Sequence, residues 1–485
     1  MQTITSSRMA AIDANCDYLG INRLVLMENA GAAVARAVKE RISTGKVVII
    51  AGKGNNGGDA FVAARHLSRY DEKVLLLGRK EEIKTPEALT NWNALEKSSI
   101  SLTQVRDSKT FDRTLIEDTD IIIDGIFGTG VHGLIHEPES TAIDLINKSG
   151  AFVISIDVPS GLDPDGGKFA KSVKANLTLT FHKMKVGLMT PHSGECAGEI
   201  RVIDIGIPHD AEFYVGPGDI QPFLKRPATS HKGNSGRVLI IGGGPYSGAP
   251  ALAALGALRG GADIVTVAAP RSVSDIIASF SPNLIVRPLT GDILSGEDIS
   301  IISRLISSHD VVVMGMGLGT EDKTLRTIEK IVPLCKRIVI DADALSPRLV
   351  SLFNKNMIIT PHAGEMRRLS GLDVPHDINE RVKMIKDFAD THKVTVLLKG
   401  AVDIISDGLD VRANRTGNPG MTVGGTGDVL AGLTGALFAR CDSPLEAAAS
   451  SAFINGAAGD LAFQEFGYGL LATDVIDLIP AVMRS

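Results

Sequence analysis

The chain has 485 residues, of which 44% are hydrophobic, 22% charged and 4% aromatic, and its formal net charge is −6. This length exceeds what one hydrophobic core usually serves, so more than one domain is expected. A weakly acidic chain that is poor in aromatic residues excludes a basic, base-stacking surface, so we expect no nucleic-acid partner. The sequence has no signal peptide and no stretch of about 18 uncharged apolar residues, which predicts a cytoplasmic protein without a membrane partner.

The first part of the chain alternates between helical and strand patterns. Apolar residues three and four positions apart predict helices over residues 8–17 and 23–42. A further helix is predicted over 60–70, and β-branched runs predict strands at 46–52, 74–78, 121–128 and 152–161. Strands that alternate with helices are typical of a parallel sheet covered on both faces. The fold class expected here is α/β, with a Rossmann-like αβα sandwich.

A domain boundary is predicted where this rhythm stops. Residues 211–230 are richer in proline and glycine, and we divide the chain into domains 1–212 and 213–485. A second series of β-branched runs begins at residues 237–244 and predicts another doubly wound αβα sheet. A helix of small residues is expected over 427–439.

Three polar, glycine-containing loops follow predicted strands in the first domain: AGKGNNGGDAF at 51–61, DGIFGTGVHGL at 124–134 and IDVPSGLDPDG at 156–166. Glycines let a backbone approach a ligand closely, and the N-terminus of a helix attracts phosphate. Taken singly, a glycine-rich turn is also typical of a plain tight turn, and Asp124 or Asp157 could simply cap a helix. Because the carboxyl ends of parallel strands share one edge, the three loops together predict a ligand crevice.

These three loops resemble the YjeF N-terminal domain, the NAD(P)H-hydrate epimerase family, over about residues 5–210. The resemblance implies a potassium ion at Asn56, Asp124 and Ser160, whose oxygen atoms suit a hard cation. It places hydrated NADH or NADPH against Asn55, Asn56, Gly57, Gly58, Asp59, Gly128, Thr129, Gly130, Val131, His132, Gly133, Leu134 and Asp157.

The implied reaction inverts the hydroxyl-bearing carbon of the hydrated nicotinamide ring. It needs a carboxylate that moves a proton and stabilises a cationic ring, and Asp157 is the expected catalytic residue. Lys185 matches a family lysine that contacts a phosphate or the ring, although a surface lysine is an almost equal interpretation.

In the second domain, GNPGMTVGGTGDVLAG at 417–432 runs from a glycine-rich loop directly into the small-residue helix. Backbone amides at a helix N-terminus, with Asp428 in the first turn, would hold a phosphoryl group and a base side by side. The motif resembles the anion hole and catalytic aspartate of ribokinase-like enzymes. KGAVD at 399–403 and PHAGE at 361–365 also follow predicted strands, and this position favours a site role for His362, although a lone histidine is more often structural.

Together with GMGLG at 315–319 and DADAL at 341–345, these motifs resemble the ADP/ATP-dependent NAD(P)H-hydrate dehydratase family over about residues 225–485. The resemblance implies that Ala249, Gly317, His362 and the catalytic base Asp428 face the hydrated dinucleotide. It places ADP, or ATP as the second choice, against Lys399, Gly400, Ala401, Val402, Asp403, Asn418, Pro419, Gly420, Met421, Thr422, Val423, Gly424, Gly425, Thr426 and Gly427. It further implies Mg²⁺ on the nucleotide and assembly into a homo-oligomer.

The sequence therefore predicts a bifunctional enzyme that repairs hydrated NADH and NADPH. It would interconvert the R and S epimers and dehydrate the S epimer to NAD(P)H, converting ADP to AMP, or ATP to ADP, and releasing phosphate. Two alternatives remain at this point: a ribokinase-like kinase of a small molecule, and a first domain that only binds ligands. Loss of the polar loop residues would mark a binding-only domain, but Asn56, Asp59, Asp124, Asp157 and Ser160 are all present.

Overall fold

The computed structural model describes residues 3–130, 133–226, 229 and 231–484. By its internal contacts the chain divides into two compact units, Met1–Ala211 and Glu212–Ser485, and each unit is built on its own large sheet. Within the described ranges, no helix has both the length and the apolar character that a membrane crossing requires.

The first unit contains a seven-stranded parallel sheet and a two-stranded one. Its strands are β1 (Thr3–Ile4), β2 (Lys46–Ala51), β3 (Asp71–Leu77), β4 (Ser101–Val105), β5 (Ile121–Gly125), β6 (Phe152–Ile156), β7 (Leu177–Phe181), β8 (Met184–Lys185) and β9 (Glu199–Ile203). Its helices are α1 (Ser6–Tyr18), α2 (Arg23–Arg41), α3 (Asn55–His66), α4 (Pro86–Leu95), α5 (Glu139–Lys148) and α6 (His209–Phe213), the last of which extends past the division.

The strand order of the large sheet in this unit is β4-β3-β2-β5-β6-β7-β9. The chain moves outward from β2 to β4 and then returns to β5 on the other side of β2, so the order reverses between β2 and β5. Open α/β sheets bind ligands at such a reversal, outside the carboxyl ends of the strands. The small sheet pairs β1 with β8 and sets Ile4 opposite Lys185, which joins the start of α1 to the segment that carries this lysine.

The second unit is built on a nine-stranded sheet. Its strands are β10 (Arg237–Ile241), β11 (Ile264–Ala269), β12 (Ile285–Pro288), β13 (Val311–Met314), β14 (Ile338–Ile340), β15 (Met357–Ile359), β16 (Thr395–Leu398), β17 (Asp403–Ser406) and β18 (Val411–Asn414). Its helices are α7 (Pro217–Leu224), α8 (Gly248–Arg259), α9 (Arg271–Ser279), α10 (Ile299–Ile306), α11 (Asp322–Ile331), α12 (Ala363–Ser370), α13 (Ile378–His392), α14 (Thr426–Phe438), α15 (Pro444–Phe466) and α16 (Ala472–Val482).

This sheet has the order β12-β11-β10-β13-β14-β15-β16-β17-β18, and its order reverses between β10 and β13. All neighbours from β12 to β16 are parallel, whereas β17 and β18 continue the sheet as an antiparallel hairpin. Helix α14 packs closely on α8 because its residues are small: a Cβ atom on Gly432 would lie 1.8 Å from the carbonyl oxygen of Ala253. This packing fixes the helix whose first turn carries Asp428.

The predicted α/β fold class is confirmed in both units, and most predicted elements are present. The predicted start of the helix over 60–70 is wrong, because α3 begins at Asn55 and the NNGGD residues are its first five. Glycine is needed there for close packing: a Cβ atom on Gly57 would lie 2.0 Å from the carbonyl oxygen of Gly52. The strands predicted at 121–128 and 152–161 end earlier, at Gly125 and Ile156. Helix α7 occupies part of the stretch for which no regular element was predicted.

Candidate active sites

A cavity of about 870 Å³ opens beside the reversal between β2 and β5. The loops after these strands bound it, together with residues of α1 and α2. Among the predicted dinucleotide contacts, those that line it are Asn55, Asn56, Asp59, Gly128, Thr129, Gly130, Leu134 and Asp157. Its lining does not include Gly57, Gly58 or Gly133. The predicted contacts Val131 and His132 lie outside the described residues.

Asp124 and Ser160 are in direct contact below this cavity. Asp124 is the last residue but one of β5 and has no exposed surface. Its carboxylate accepts hydrogen bonds from Ser160 Oγ at 2.5 Å, Ser160 N at 2.9 Å and Ser155 Oγ at 2.7 Å. Burial raises the pKa of Asp124, and the hydrogen bonds from the two serines oppose this shift. The arrangement gathers carboxylate and hydroxyl oxygen atoms at one buried point.

Asn56 supplies the third polar group that the sequence predicts here. Its side chain is buried, and its amide nitrogen has no hydrogen-bond partner among the described residues. A Cβ atom on Gly128 would lie 3.1 Å from Asn56 Oδ1, so this amide contacts the loop after β5. A half-turn of the amide exchanges its oxygen and nitrogen. An unpaired buried amide beside a carboxylate and a hydroxyl therefore fits a hard cation held by oxygen atoms.

Asp157 and Lys185 form a buried ion pair at the same cavity. Lys185 Nζ lies 2.6 Å from Asp157 Oδ1, and the lysine side chain is only 1% exposed. The ammonium also donates a hydrogen bond of 2.8 Å to the carbonyl oxygen of Phe181. Asp157 has a φ of 67°, a left-handed conformation that L-residues adopt at a cost. The structure thus places Lys185 in the site and excludes the alternative that it is a surface lysine.

Besides Asp157, four carboxyl groups of the described residues line this cavity: Asp59 on α3, Asp13 on α1, Glu137 and Glu139. Burial, and then the charges of Asp157 and Asp13, raise the pKa of Asp59 well above its usual range, while Lys185 opposes the shift. Asp59 belongs to a predicted motif, but Asp13 was not predicted. The only sequence signal for Asp13 is an acidic residue next to Ile12 on a helix whose other face is apolar.

In the second unit, the GGTGD motif forms the expected junction of loop and helix. Gly425 precedes α14 with a φ of 101°, which glycine adopts without strain, and Asp428 lies in the first turn of the helix. A Cβ atom on Gly424 would have no neighbour within 4 Å, so the loop faces open space. The first backbone N–H groups of a helix lack intrahelical partners and attract anions. The junction therefore offers an anion site next to a carboxylate.

Lys399 connects this junction to a cluster of acidic residues. Its ammonium lies 2.7 Å from Asp341 Oδ1 and 4.0 Å from Glu365 Oε2. A Cβ atom on Gly427 would lie 3.5 Å from the same ammonium, so the lysine reaches the anion loop. Burial lowers the pKa of Lys399, but the nearby carboxylates, Asp341 first, outweigh it, and the net shift is upward. Lys399 is therefore a permanent positive charge beside the loop.

Asp428 has a pKa suited to accepting a proton. Burial, followed by the negative charge of Asp341, raises the pKa of Asp428 to about 7; Lys399 opposes the shift and Asp343 adds to it. A base whose pKa lies near the working pH is largely ionised and still has a strong tendency to accept a proton.

The predicted substrate contacts of this unit come from three loops at the same sheet edge. Gly317 follows β13 with a φ of 68°, and a Cβ atom on it would lie 3.6 Å from the Cβ of Ala249 at the start of α8. His362 caps α12: its Nδ1 accepts a hydrogen bond of 3.0 Å from Gly364 N, and its side chain is 57% exposed. Its Nε2 lies 3.4 Å from Glu365 Oε1, so the ring has a structural role while more than half of the side chain stays exposed.

The two predicted nucleotide segments are held in place by half-buried carboxyl groups. In the turn Lys399–Val402, Asp403 accepts a hydrogen bond of 2.9 Å from Gly400 N, and burial raises the pKa of Asp403 to about 6. In the loop 418–425, Asn418 donates a hydrogen bond of 2.9 Å to Asp460 on α15. Asp460 received no role from the sequence, although it positions this loop.

Two open α/β sheets, one with a polar cavity at its reversal and the other with an anion loop and a poised aspartate, define a two-domain nucleotide-handling enzyme. A ribokinase-like superfamily protein of Enterococcus faecalis matches the second fold with a TM-score of 0.50 at 24% identity, covering 56% of this chain and 95% of its own. A hypothetical protein of Streptococcus mutans matches with the same TM-score at 28% identity, covering 56% of this chain and 98% of its own.

Comparison with protein families assigns both halves of the chain. Residues 23–187 match the family described as YjeF-related protein N-terminus, and residues 238–481 match the family described as NAD(P)H-hydrate dehydratase. The bifunctional NAD(P)H-hydrate repair enzyme Nnr of Archaeoglobus fulgidus is 44% identical over 100% of this chain and 99% of its own length. The enzyme of the same name in Methanothermobacter thermautotrophicus is 47% identical over 98% of this chain and 94% of its own. The chain belongs to the family of bifunctional NAD(P)H-hydrate repair enzymes.

The ion pair between Asp157 and Lys185 gives a stability prediction. Asp157→Asn leaves the buried ammonium without its closest counter-charge, and we expect the free energy of unfolding of the first unit to fall by about 3 kcal/mol. The double variant Asp157→Asn, Lys185→Met removes both charges and should recover most of this loss. Denaturant unfolding at neutral pH measures both. A loss below about 1 kcal/mol in the single variant would show that the pair is not the main counter-charge of this lysine.

Proposed function

We propose that this enzyme returns hydrated NADH and NADPH to their active forms in two steps. The first unit interconverts the R and S epimers, and the second dehydrates the S epimer at the expense of a nucleotide. Similarity to bifunctional repair enzymes over the full chain supports the pairing of activities. The observation that carries the proposal is Asp428, a carboxyl group with a pKa of about 7 in the first turn of the helix behind the anion loop.

In the first unit, the carbon that carries the hydroxyl group is inverted. The carbon–oxygen bond must break and form again on the other face of the ring, and the ring nitrogen stabilises the cation between the two events. Asp157 lines the cavity and is held by Lys185, so its carboxylate would accept a proton and offset the cation's charge. The left-handed backbone of Asp157 fixes the direction of that carboxylate.

We assign a potassium ion to Asn56, Asp124 and Ser160. The unpaired amide of Asn56 and the oxygen atoms of the other two side chains fit such an ion. When bound, it would supply positive charge for the phosphates of the dinucleotide.

In the second unit, Asp428 would take the proton of the ring hydroxyl as that oxygen attacks the terminal phosphorus of the nucleotide. The N–H groups of residues 424–427 would stabilise the phosphoryl group in transfer, and Lys399 would neutralise part of its charge. Phosphate then leaves with the former hydroxyl oxygen, and loss of a proton from the neighbouring carbon restores the ring double bond. The nucleotide supplies a leaving group and is shortened by one phosphate.

We propose ADP as the preferred nucleotide and ATP as the second, with Ala249, Gly317 and His362 against the dinucleotide. Within the described residues, no three His, Cys, Asp or Glu side chains are grouped to hold a metal ion. Mg²⁺ would therefore be bound mainly by the nucleotide phosphates and water. The proposal includes a cytoplasmic location and assembly into a homo-oligomer, as the resemblance to the family implies.

The kinase alternative differs in the fate of the phosphate. A kinase would leave the phosphate on its product, whereas the dehydratase releases it. Similarity to bifunctional repair enzymes over the full chain favours release of the phosphate.

The other alternative is a first unit that only binds ligands. The buried ion pair of Asp157 and Lys185 argues against it, because binding alone does not require such a pair.

Removing the proposed base tests the assignment of the two activities. Asp428→Ala should abolish nucleotide-dependent formation of NADH from the S epimer, a loss of at least about 100-fold, and leave epimer interconversion unchanged. Chromatographic separation of the epimers and absorbance of NADH follow the two activities in one sample. Asp442→Ala changes a 97% exposed aspartate of the same unit and serves as control. Dehydration at a normal rate in Asp428→Ala would refute the base assignment.

The pKa of Asp428 predicts a pH dependence. Because the base must be ionised and its pKa is about 7 in the folded enzyme, kcat/KM for dehydration should rise with pH until it levels off above about 7. Asp343→Asn removes a negative charge that raises the pKa of Asp428, so the rise of kcat/KM should shift to lower pH. The side-chain oxygen of the new asparagine can still accept the hydrogen bond from Gly319 N. If kcat/KM rises with the same midpoint pH in the wild-type enzyme and in Asp343→Asn, the assignment of this rise to the ionisation of Asp428 is contradicted.

A further inference from the structure

Asp13, one of the carboxyl groups that line the first cavity, has no role in the function proposed so far. Asp13 lines the cavity together with Met9 and Ala10, from one face of α1. It makes no hydrogen bond or ion pair with any described residue, unlike Asp157, which is paired with Lys185. Removing a carboxyl group from water is unfavourable unless the group is paired or protonated, so an unpaired one that lines a cavity is available to a ligand.

The charges around Asp13 come from four elements. Asp157 follows β6, Lys185 ends β8, Asp59 is the fifth residue of α3, and Arg23 begins α2. Burial is the main reason that the pKa of Asp13 rises to about 6; Arg23 and Lys185 oppose the rise and Asp157 adds to it. The cavity thus combines a carboxylate held by a cation with a second carboxyl group that retains a proton more readily. Environments that separate two carboxyl groups in this way define an acid and a base.

Inversion of the ring carbon requires both an acid and a base. A hydroxyl group leaves one face of the ring with a proton, as water, and a water molecule that attacks the other face gives up a proton. One carboxyl group cannot donate on one face and accept on the other at the same moment. We infer that Asp13 is the second proton-transferring residue of the epimerisation and acts opposite Asp157. This inference rests on the epimerase activity proposed for the first unit.

The proton balance closes over one turnover. Asp13 donates its proton to the departing hydroxyl group, the carbon–oxygen bond breaks, and water and a ring cation remain. A water molecule forms the new bond from the other face, and its proton passes to Asp157. Asp13 is then ionised and Asp157 is protonated, which is the state needed to convert the other epimer. The same pair therefore serves both directions of a freely reversible reaction.

The strand pairing and the helix cap at the start of the chain support this placement. The pairing of β1 with β8 sets Ile4 opposite Lys185, and the N-cap Thr5, which accepts a hydrogen bond from Arg8 N, starts α1 directly after β1. The segment that carries Asp13 is thereby tied to the residue that holds Asp157. This is a positioning device for two groups that must act on one ring.

The test is the variant Asp13→Asn, which keeps the size of the side chain and removes the exchangeable proton. The expected result is a fall in kcat for epimer interconversion of at least about 100-fold with KM changed less than about threefold. Asp13→Glu, which restores a carboxyl group, should recover at least a tenth or so of the wild-type rate. Asp17→Asn, an exposed carboxyl group one turn further along α1, should behave as wild type.

The pH profile separates proton transfer from a structural role. In the direction in which Asp13 donates its proton, wild-type kcat/KM should decline as pH rises through about 6, since Asp13 then loses this proton. The residual activity of Asp13→Asn should lack this decline. A rate within threefold or so of wild type in Asp13→Asn would overturn the inference and leave the proposed function standing. If both Asp13→Asn and Asp13→Glu lose activity and their residual activity still declines with rising pH as in the wild type, Asp13 has a structural role. This result would also overturn the inference. Wild-type protein that does not interconvert the epimers would refute the proposed function itself, and the inference with it.

Discussion

A carboxyl group taken out of water must be paired with a cation, hydrogen bonded or protonated, and both sites depend on this constraint. In the first unit Asp157 is paired with Lys185, Asp124 is held by two serines, and burial raises the pKa of Asp59 and Asp13. In the second unit Asp341 is paired with Lys399, whereas Asp428 is left with a pKa of about 7. Neighbouring carboxyl groups therefore differ in role: those paired with a cation stay charged, and those with a raised pKa can carry a proton.

The fold determines where these groups meet. In each large sheet the strand order reverses once among the parallel strands, and the loops at the carboxyl edge beside the reversal carry the polar residues. Glycine is required where these loops approach another segment: a Cβ atom on Gly315 would lie 1.8 Å from the carbonyl oxygen of Asp341. Close backbone packing at the sheet edge leaves the side chains of the loops to face the ligands.

The sequence was sufficient to predict both αβα units, because β-branched runs bounded by glycine are a strong local signal, and the GGTGD junction, because the motif joins a loop to a helix. It was not sufficient to find Asp13, which is an isolated acidic residue whose importance arises from a shared cavity and from the charges of Asp157 and Lys185, which are distant in the chain. It also left Lys185 ambiguous, since burial of a lysine depends on a long-range ion pair. The start of α3 was missed because Gly57 and Gly58 disfavour a helix locally, while tertiary packing requires them.

The most direct test of the account is the recovery of NADH absorbance from a mixture of both hydrate epimers, with the whole enzyme, potassium, Mg²⁺ and either ADP or ATP. The account predicts that recovery is complete, faster than uncatalysed epimer exchange, and accompanied by release of one phosphate for each NADH formed. Recovery that stops at the S fraction would contradict the epimerase role of the first unit. The absence of any nucleotide-dependent recovery, or phosphate retained on the product, would contradict the dehydratase role of the second.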